Sequence, residues 1–203
     1  MIASGVFGLA PGGVATEADA TEPDEHLYTA AGPAADRLAN AHYTAALASR
    51  GVRSSVVRLP PTCHGRGDNG FIARIVEIAR QRGISGYVGD GSARWPATHR
   101  LDAAHAFRLA LERAPAGSTW HAVAEEGVLV RDFAEVIGRK LGIAVVSVPP
   151  ADATGHFGFL GLLLQTDSQA SSARTRAELG WQPARPALLE DLEQDHYYAR
   201  PRP

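Results

Sequence analysis

The sequence predicts an α/β protein built on a parallel sheet, and three observations carry that prediction. Short β-branched runs, Ser55–Leu59 and Ala144–Val148, are each ended by a proline pair. Between such runs lie segments of about a dozen residues whose apolar positions recur at helical spacing. Strands and helices alternating in this way bury their apolar faces by packing the helices onto a parallel sheet. The chain has 203 residues, 45% hydrophobic and 21% charged, which suits one soluble globular domain with room for a small annex.

Taken in order, Ile2 to Phe7 reads as a short buried strand, followed by a Gly/Pro loop and an acidic stretch from Glu17 to Glu25. Ala34 to Arg50 reads as a helix with a narrow apolar face of Leu38, Ala41, Ala45 and Leu47, stopped by Gly51. After the strand Ser55–Leu59, Phe71 to Arg82 repeats apolar residues at Ile72, Ile75, Val76 and Ile78 and is helical. Ser85 to Val88 is a short strand before the turn Gly89-Asp90-Gly91. A helix over Leu101–Arg113, a strand over Trp120–Ala124 and a helix over Val130–Leu141 closed by Gly142 come next. The strand Ala144–Val148 and helices over 170–179 and 187–198 complete the chain. No internal repeat is visible.

The formal net charge of −2 gives no electrostatic reason to expect a nucleic acid or an acidic membrane as partner. The one cysteine, Cys63, excludes an internal disulfide, and no Cys/His ligand spacing marks a zinc site, so no metal is expected. Cys63 has no basic neighbour beyond His64 and is not read as a nucleophile. Residues 1–8 lack the basic region of a signal peptide, and no apolar run approaches the length of a membrane span. The expected location is cytoplasmic. Lys140 is the only lysine, so a missing lysine can be read with certainty.

Gly65-Arg66-Gly67-Asp68-Asn69-Gly70 matches G-x-G-x-x-G after a strand and before a helix, with Asp90 beyond the next strand. On pattern alone this is a dinucleotide-binding loop, with glycines for the turn and an acid for the ribose. The spacer Pro60-Pro61-Thr62-Cys63-His64 weighs against it, because the pattern needs its first glycine at the strand's end. The plainer reading is a glycine-rich loop ahead of a helix.

A second pattern covers far more of the chain. Arg58-Leu59-Pro60-Pro61-Thr62-Cys63-His64-Gly65 resembles the strand–loop segment beside the nicotinamide in extended short-chain dehydrogenases, the NAD-dependent epimerase/dehydratase family. Gly89-Asp90-Gly91 followed by His99-Arg100-Leu101-Asp102 resembles that family's "G-D-G … H-V-D-D" run. Trp120-His121-Ala122-Val123 resembles its "Y-N-V" strand, and Leu179-Gly180-Trp181-Gln182-Pro183 its closing "L-G-W-x-P". The resemblance implies an incomplete Rossmann-like parallel sheet with flanking helices plus a small substrate-binding subdomain. Residues 1–65 would hold residual Rossmann-like strands and a helix, and residues 66–203 the substrate side, interleaved with the last sheet strand. The family's T-G-x-x-G-x-x-G loop has no counterpart here, so its dinucleotide-binding half is read as absent.

The resemblance places Ser4 at the family's catalytic serine. By spacing back from Arg58, its Tyr-x-x-x-Lys pair falls on Arg37 and Ala41, which can replace neither residue; Tyr28 and Tyr43 are followed four residues on by Gly32 and Leu47. An unaided tyrosine, with a pKa of about 10, is ionised in roughly one molecule per thousand at neutral pH. Arginine can hold an anion but cannot shuttle a proton. Redox chemistry of the family type is therefore not expected, and no cofactor is expected, NAD(P) held by Gly65–Gly70 being the alternative.

The candidate catalytic residues are Ser4, as donor to a substrate oxygen or as a plain strand-end serine, and His64, as acid/base group or as a solvated loop histidine. Arg58, Tyr87, Trp95 and His99 lie on segments that contact substrate or cofactor in the family. Against that, Arg58 would only bridge carboxylates and Trp95 would only pack. Asp102 reads as a partner for a helix dipole, and His196-Tyr197-Tyr198 as a helix end docking. Three functions are open: a degenerate enzyme binding a small polar or carbonyl metabolite with cofactor-independent acid/base chemistry, a non-catalytic scaffold subunit completed by another chain, and an NAD(P)-dependent oxidoreductase. A homodimer is expected, with the alanine-rich helix over Ala34–Arg50 at its interface.

Overall fold

A computed structural model describes residues 1–10, 12–19 and 33–199, without the side chains of 33–36. Tyr28, Gly32 and most of the acidic stretch after Asp19 lie outside the described residues.

The main sheet has three parallel strands in the order β1 (Ile2–Gly5), β3 (Ser55–Leu59) and β7 (Ser118–His121). This order is the one that the family resemblance implies, although β7 begins and ends earlier than Trp120–Ala124. Helix α1 (Pro33–Ala46) runs into a 3-10 turn over Leu47–Arg50, and Gly51 stops it in the left-handed conformation that glycine adopts without strain. α1 packs against β1 and β3, burying Leu38, Ala41 and His42. Helix α3 (Arg100–Arg113) lays Ala103, Ala106, Leu109 and Ala110 into a cluster with Val57, Trp120 and Trp181.

A separate parallel pair, β5 (Ile84–Val88) with β9 (Ala144–Val148), is also what that resemblance implies. It is covered by α2 (Phe71–Arg82) and α4 (Val130–Leu141). Their buried Ile72, Ile75, Val76, Phe133, Val136 and Ile137 form the largest core. α4 approaches β9 closely at Gly138, where a Cβ would collide with Val145 Cγ2.

Sequence reading missed a second three-stranded sheet, β4 (Thr62–His64), β6 (Arg94–His99) and β8 (Glu125–Leu129). Pro96 sits inside its central strand, at an irregularity between Trp95 and Ala97 where the ladder needs no N–H. Two further segments differ. Gln169–Ala170 is not helical but forms β10, paired with β2 (Val14–Ala15), and the helix α7 starts at Ala173 (Ala173–Leu179). The last predicted helix is α8 (Leu188–Leu192) followed by a 3-10 turn over Asp195–Tyr197. The short helices α5 (Ala153–Phe157) and α6 (Leu160–Leu163) meet where Gly161 lies against the Ala153 carbonyl, a contact only glycine allows.

Candidate ligand site

Three polar constellations hold the residues singled out from sequence. The first is a row across the main sheet. Ser4, Arg58 and His121 are register partners on β1, β3 and β7, so strand alternation sets all three on one face. All three are buried. Arg58 donates through Nη1 to the Asp19 carbonyl at 2.6 Å and to His121 Nε2 at 3.4 Å. A guanidinium only donates, so Nε2 accepts and the His121 proton sits on Nδ1, 2.9 Å from the Ser171 carbonyl. His121 is thus neutral, and burial holds its pKa down to about 4. Burial also brings Arg58 down to about 10, opposed by the charges of Asp19 and Glu17, so it stays charged. Buried Glu17 accepts from the Thr175 amide at 2.9 Å and hydroxyl at 2.6 Å. Thr175 Oγ1 in turn accepts from the His121 amide at 2.9 Å. Glu17, His121 and Thr175 were not found from sequence, because each acts through a partner dozens of positions away.

The second constellation surrounds His64. The sequence left His64 open as an acid/base group or a solvated loop residue; it is fully buried, which rules out the solvated loop. Its Nδ1–H donates to Asp191 Oδ2 at 3.0 Å, and the His99 ring stands edge-on at 5.4 Å between centroids. His99 caps α3, its Nδ1 accepting from the Leu101 amide at 3.2 Å. Ser4 and His64 lie in different sheets, with no hydrogen bond between them among the described residues.

The remaining candidates separate. Trp95 is completely buried, its ring 5.6 Å from that of Phe7 and 6.2 Å from that of Phe133. Tyr87 lies half-buried beneath the Arg131 guanidinium, 5.3 Å from its ring centroid. Gly91, at φ +73°, permits that stacking, since a Cβ there would fall 2.6 Å from Arg131 Cβ. Asp102 does more than face a helix dipole: its carboxylate accepts from the amides of Ala184 and Arg185, at 3.2 and 2.9 Å. Its carbonyl accepts from Trp181 Nε1 at 2.9 Å, so the L-G-W-x-P segment is anchored on α3. Arg37 is exposed and Ala41 buried on α1.

The third constellation is an open cleft of about 580 Å³ just past the carboxyl ends of β5 and β9. Its polar groups are Asp90, Ser92, Arg94, Gln165 and Asp167. The Ser92 hydroxyl and amide donate to Asp90 at 2.7 and 3.0 Å and hold its carboxyl below the ordinary range. Arg94 grips Asp167 with Nε and Nη2 at 3.0 and 2.7 Å. Of these residues the sequence singled out only Asp90, as a ribose partner in the dinucleotide pattern. Arg94 and Asp167 are paired across a sequence distance that no local pattern reveals.

The Gly65–Gly70 loop does not fit a pyrophosphate. The Gly65 amide donates to the Tyr197 hydroxyl at 3.1 Å, the Asp68 amide to the Gly65 carbonyl at 2.9 Å and the Gly70 amide to Asp68 Oδ1 at 2.6 Å. Three of the loop's amide donors are thus engaged, and the Asp68 carboxylate beside them would repel a phosphate. Gly65 is required instead by packing, since a Cβ there would sit 2.8 Å from His99 Nε2.

No family model matches the chain. It is 48% identical over 155 residues to the uncharacterized protein C2A9.02 of Schizosaccharomyces pombe, covering 76% of this chain and 52% of that protein. It is 40% identical over 193 residues to the uncharacterized protein YLL056C of Saccharomyces cerevisiae, covering 95% of this chain and 62% of that protein. The chain thus spans between half and two thirds of the length of these relatives. Among solved structures it is similar to a dTDP-glucose 4,6-dehydratase of Streptomyces venezuelae with NAD bound, at a TM-score of 0.71, 19% identity, and 97% and 58% coverage. It is also similar to the Bacillus anthracis dTDP-glucose 4,6-dehydratase in complex with NAD, at 0.71, 17% identity, and 97% and 60% coverage. A Thermotoga maritima UDP-glucose 4-epimerase with UDP-glucose gives 0.69, 17% identity, and 97% and 61% coverage. The expected fold is therefore found: the chain has the Rossmann-like α/β fold of the NAD-dependent epimerases and dehydratases, over about three fifths of their length.

Proposed function

We propose that this chain is the substrate-side part of an epimerase/dehydratase-like protein and binds a small polar metabolite in the cleft beyond β5 and β9. The cleft itself carries the reading: it lies at the carboxyl end of a parallel strand pair, where α/β proteins hold ligands, and is large enough for a small molecule. Two carboxylates, Asp90 and Asp167, face one guanidinium there, so the surplus charge is negative. Such a lining accepts hydrogen bonds from vicinal hydroxyls and repels a phosphate. A neutral polyol or sugar moiety is the ligand it suits.

The proposed role is binding. Neither Ser4 nor His64 lines the cleft, and the His64 proton is committed to Asp191. A bound nicotinamide cofactor would supply hydride transfer, but the described residues offer it no phosphate cradle at Gly65–Gly70. The test is ligand-observed NMR against glucose, UDP-glucose and UDP. Saturation transfer to the sugar protons of glucose and UDP-glucose, and none to UDP, is expected. Asp90→Ala should weaken binding roughly tenfold, as loss of a charged hydrogen-bond acceptor does. Unchanged affinity in that variant, or preferred binding of UDP, would overturn the reading.

A further inference from the structure

The C-terminal segment, residues 188–199, is held down by Leu188, Leu192 and Tyr197, buried in the core beside α4, and by one buried carboxylate with three histidines around it. Asp191 on α8 is 4% exposed. It receives the His64 proton at 3.0 Å, and His196 Nε2 lies 3.6 Å away. His99 stands behind His64, edge to face. The second nitrogen of His64, Nε2, is buried without a hydrogen-bond partner, and so is His196 Nε2, which faces Asp191 from just beyond hydrogen-bond reach. With the histidines neutral, one negative charge faces one donor and the cluster is balanced. A first added proton neutralises Asp191, and a second leaves surplus positive charge with no water to screen it.

The other charged groups around the cluster do not relieve this. Asp102 and Arg185 act on His99 with opposite sign. Asp68 is tied to the Tyr197 hydroxyl at 3.0 Å, and Arg80 donates to the Tyr197 carbonyl at 3.3 Å. Beyond Tyr198, Arg139 and Lys140 of α4 pair with Glu193 and Asp195. Asp191 is the only carboxylate in direct contact with the histidines among the described residues.

We propose that His64, His99 and His196 around Asp191 form an acid-sensitive latch, whose protonation releases residues 188–199 from β4, β6 and the Gly65 loop while the main sheet stays folded. Release withdraws the Tyr197 hydroxyl from the Gly65 amide and bares the loop that precedes α2. Burial foremost lowers the His99 pKa, so the closed form holds that ring neutral; burial also works against the Asp191 charge, and the hydrogen bond from His64 keeps the Asp191 pKa below its ordinary value all the same.

Hydrogen exchange of the full chain between pH 7.5 and 5.0, corrected for intrinsic rates, tests this. Peptides covering 186–199 and 62–70 should gain at least about tenfold more in exchange rate than those covering 55–59 and 84–88, whose gain follows the global loss of stability alone. Flat exchange at 186–199, or equal loosening everywhere, overturns the latch. His196→Gln removes the histidine at the rim and should move the onset to lower pH; an unmoved onset overturns it too. In the unaltered chain, NMR titration of the three imidazoles should show coupled curves, and three independent curves would also refute the proposal.

Discussion

Arg58 shows how a residue noticed for its place in a pattern takes its meaning from what folds over it. Read along the chain it is a basic residue near a strand end, with carboxylate bridging as the plain alternative to a site role. In the structure its guanidinium is 1% exposed, close enough to Glu17 and Asp19 to feel their charge, and tied to a backbone carbonyl and to His121. None of these partners was predictable, because residues 14–19 reach the row only once β2 has paired with β10. Removing one partner of a buried charge cluster strands the others. Arg58→Met should therefore cost about 3 kcal/mol in urea unfolding. Arg94→Met, which breaks an exposed pair, should change stability far less. Equal effects of the two substitutions would mean that the row under residues 14–19 does not hold the fold.

Strands with β-branched runs and helices with glycine stops were legible in the sequence, and the family resemblance implied the order β1–β3–β7 with a separate β5–β9 pair. The sheet β4–β6–β8 was not, because its signals are broken by proline: β4 follows Pro60-Pro61, and Pro96 interrupts the alternation of β6. Tertiary contacts override local preference there. The Thr62 hydroxyl donates to the Pro96 carbonyl, and Trp95 fills the core that α4 lays over the sheet. The same limit hid the cleft, whose walls come from four separate segments.

The edge of β1 allows an element-level test. The Val6 amide donates to the Leu59 carbonyl at 3.0 Å, so alternation turns the Ser4 amide toward β3 and those of Ala3 and Gly5 away from it. No described residue pairs with that outer edge, and such an edge is a template for another strand. In dilute solution Ser4 and Val6 should exchange slowly and Ala3 and Gly5 fast. If the proposed homodimer forms along this edge, raising the protein concentration should slow Ala3 and Gly5. Exchange independent of concentration would place any dimer contact elsewhere, with the exposed Tyr43 face of α1 the next surface to substitute.

For the whole molecule, the buried histidines fix how stability depends on pH. His121 titrates at about 4 when folded, from an ordinary value of 6.5, because burial penalises its charged form. Between those two values the unfolded chain binds a proton that the folded chain refuses, so stability is complete above about pH 6.5 and declines toward pH 4. His99, lowered by burial and by His64, contributes in the same direction. Asp191 is held below its ordinary value, although burial opposes this, so its contribution is lost only as pH falls below about 4. The full His121 shift corresponds to about 3 kcal/mol, and relaxation around the row reduces that to roughly 2 kcal/mol. In a chain of this size such a loss lowers the melting temperature by about 4–8 °C between pH 7 and pH 4.5. The latch and this slope have different origins. His121 lies under residues 171–175 on the main sheet, whereas Asp191 anchors the far end of the chain on β4 and β6. His121→Gln should therefore flatten the global pH dependence while leaving acid-induced exchange at 186–199 unchanged. An unaltered slope in this variant would show that His121 is not the group whose protonation unfolds the protein.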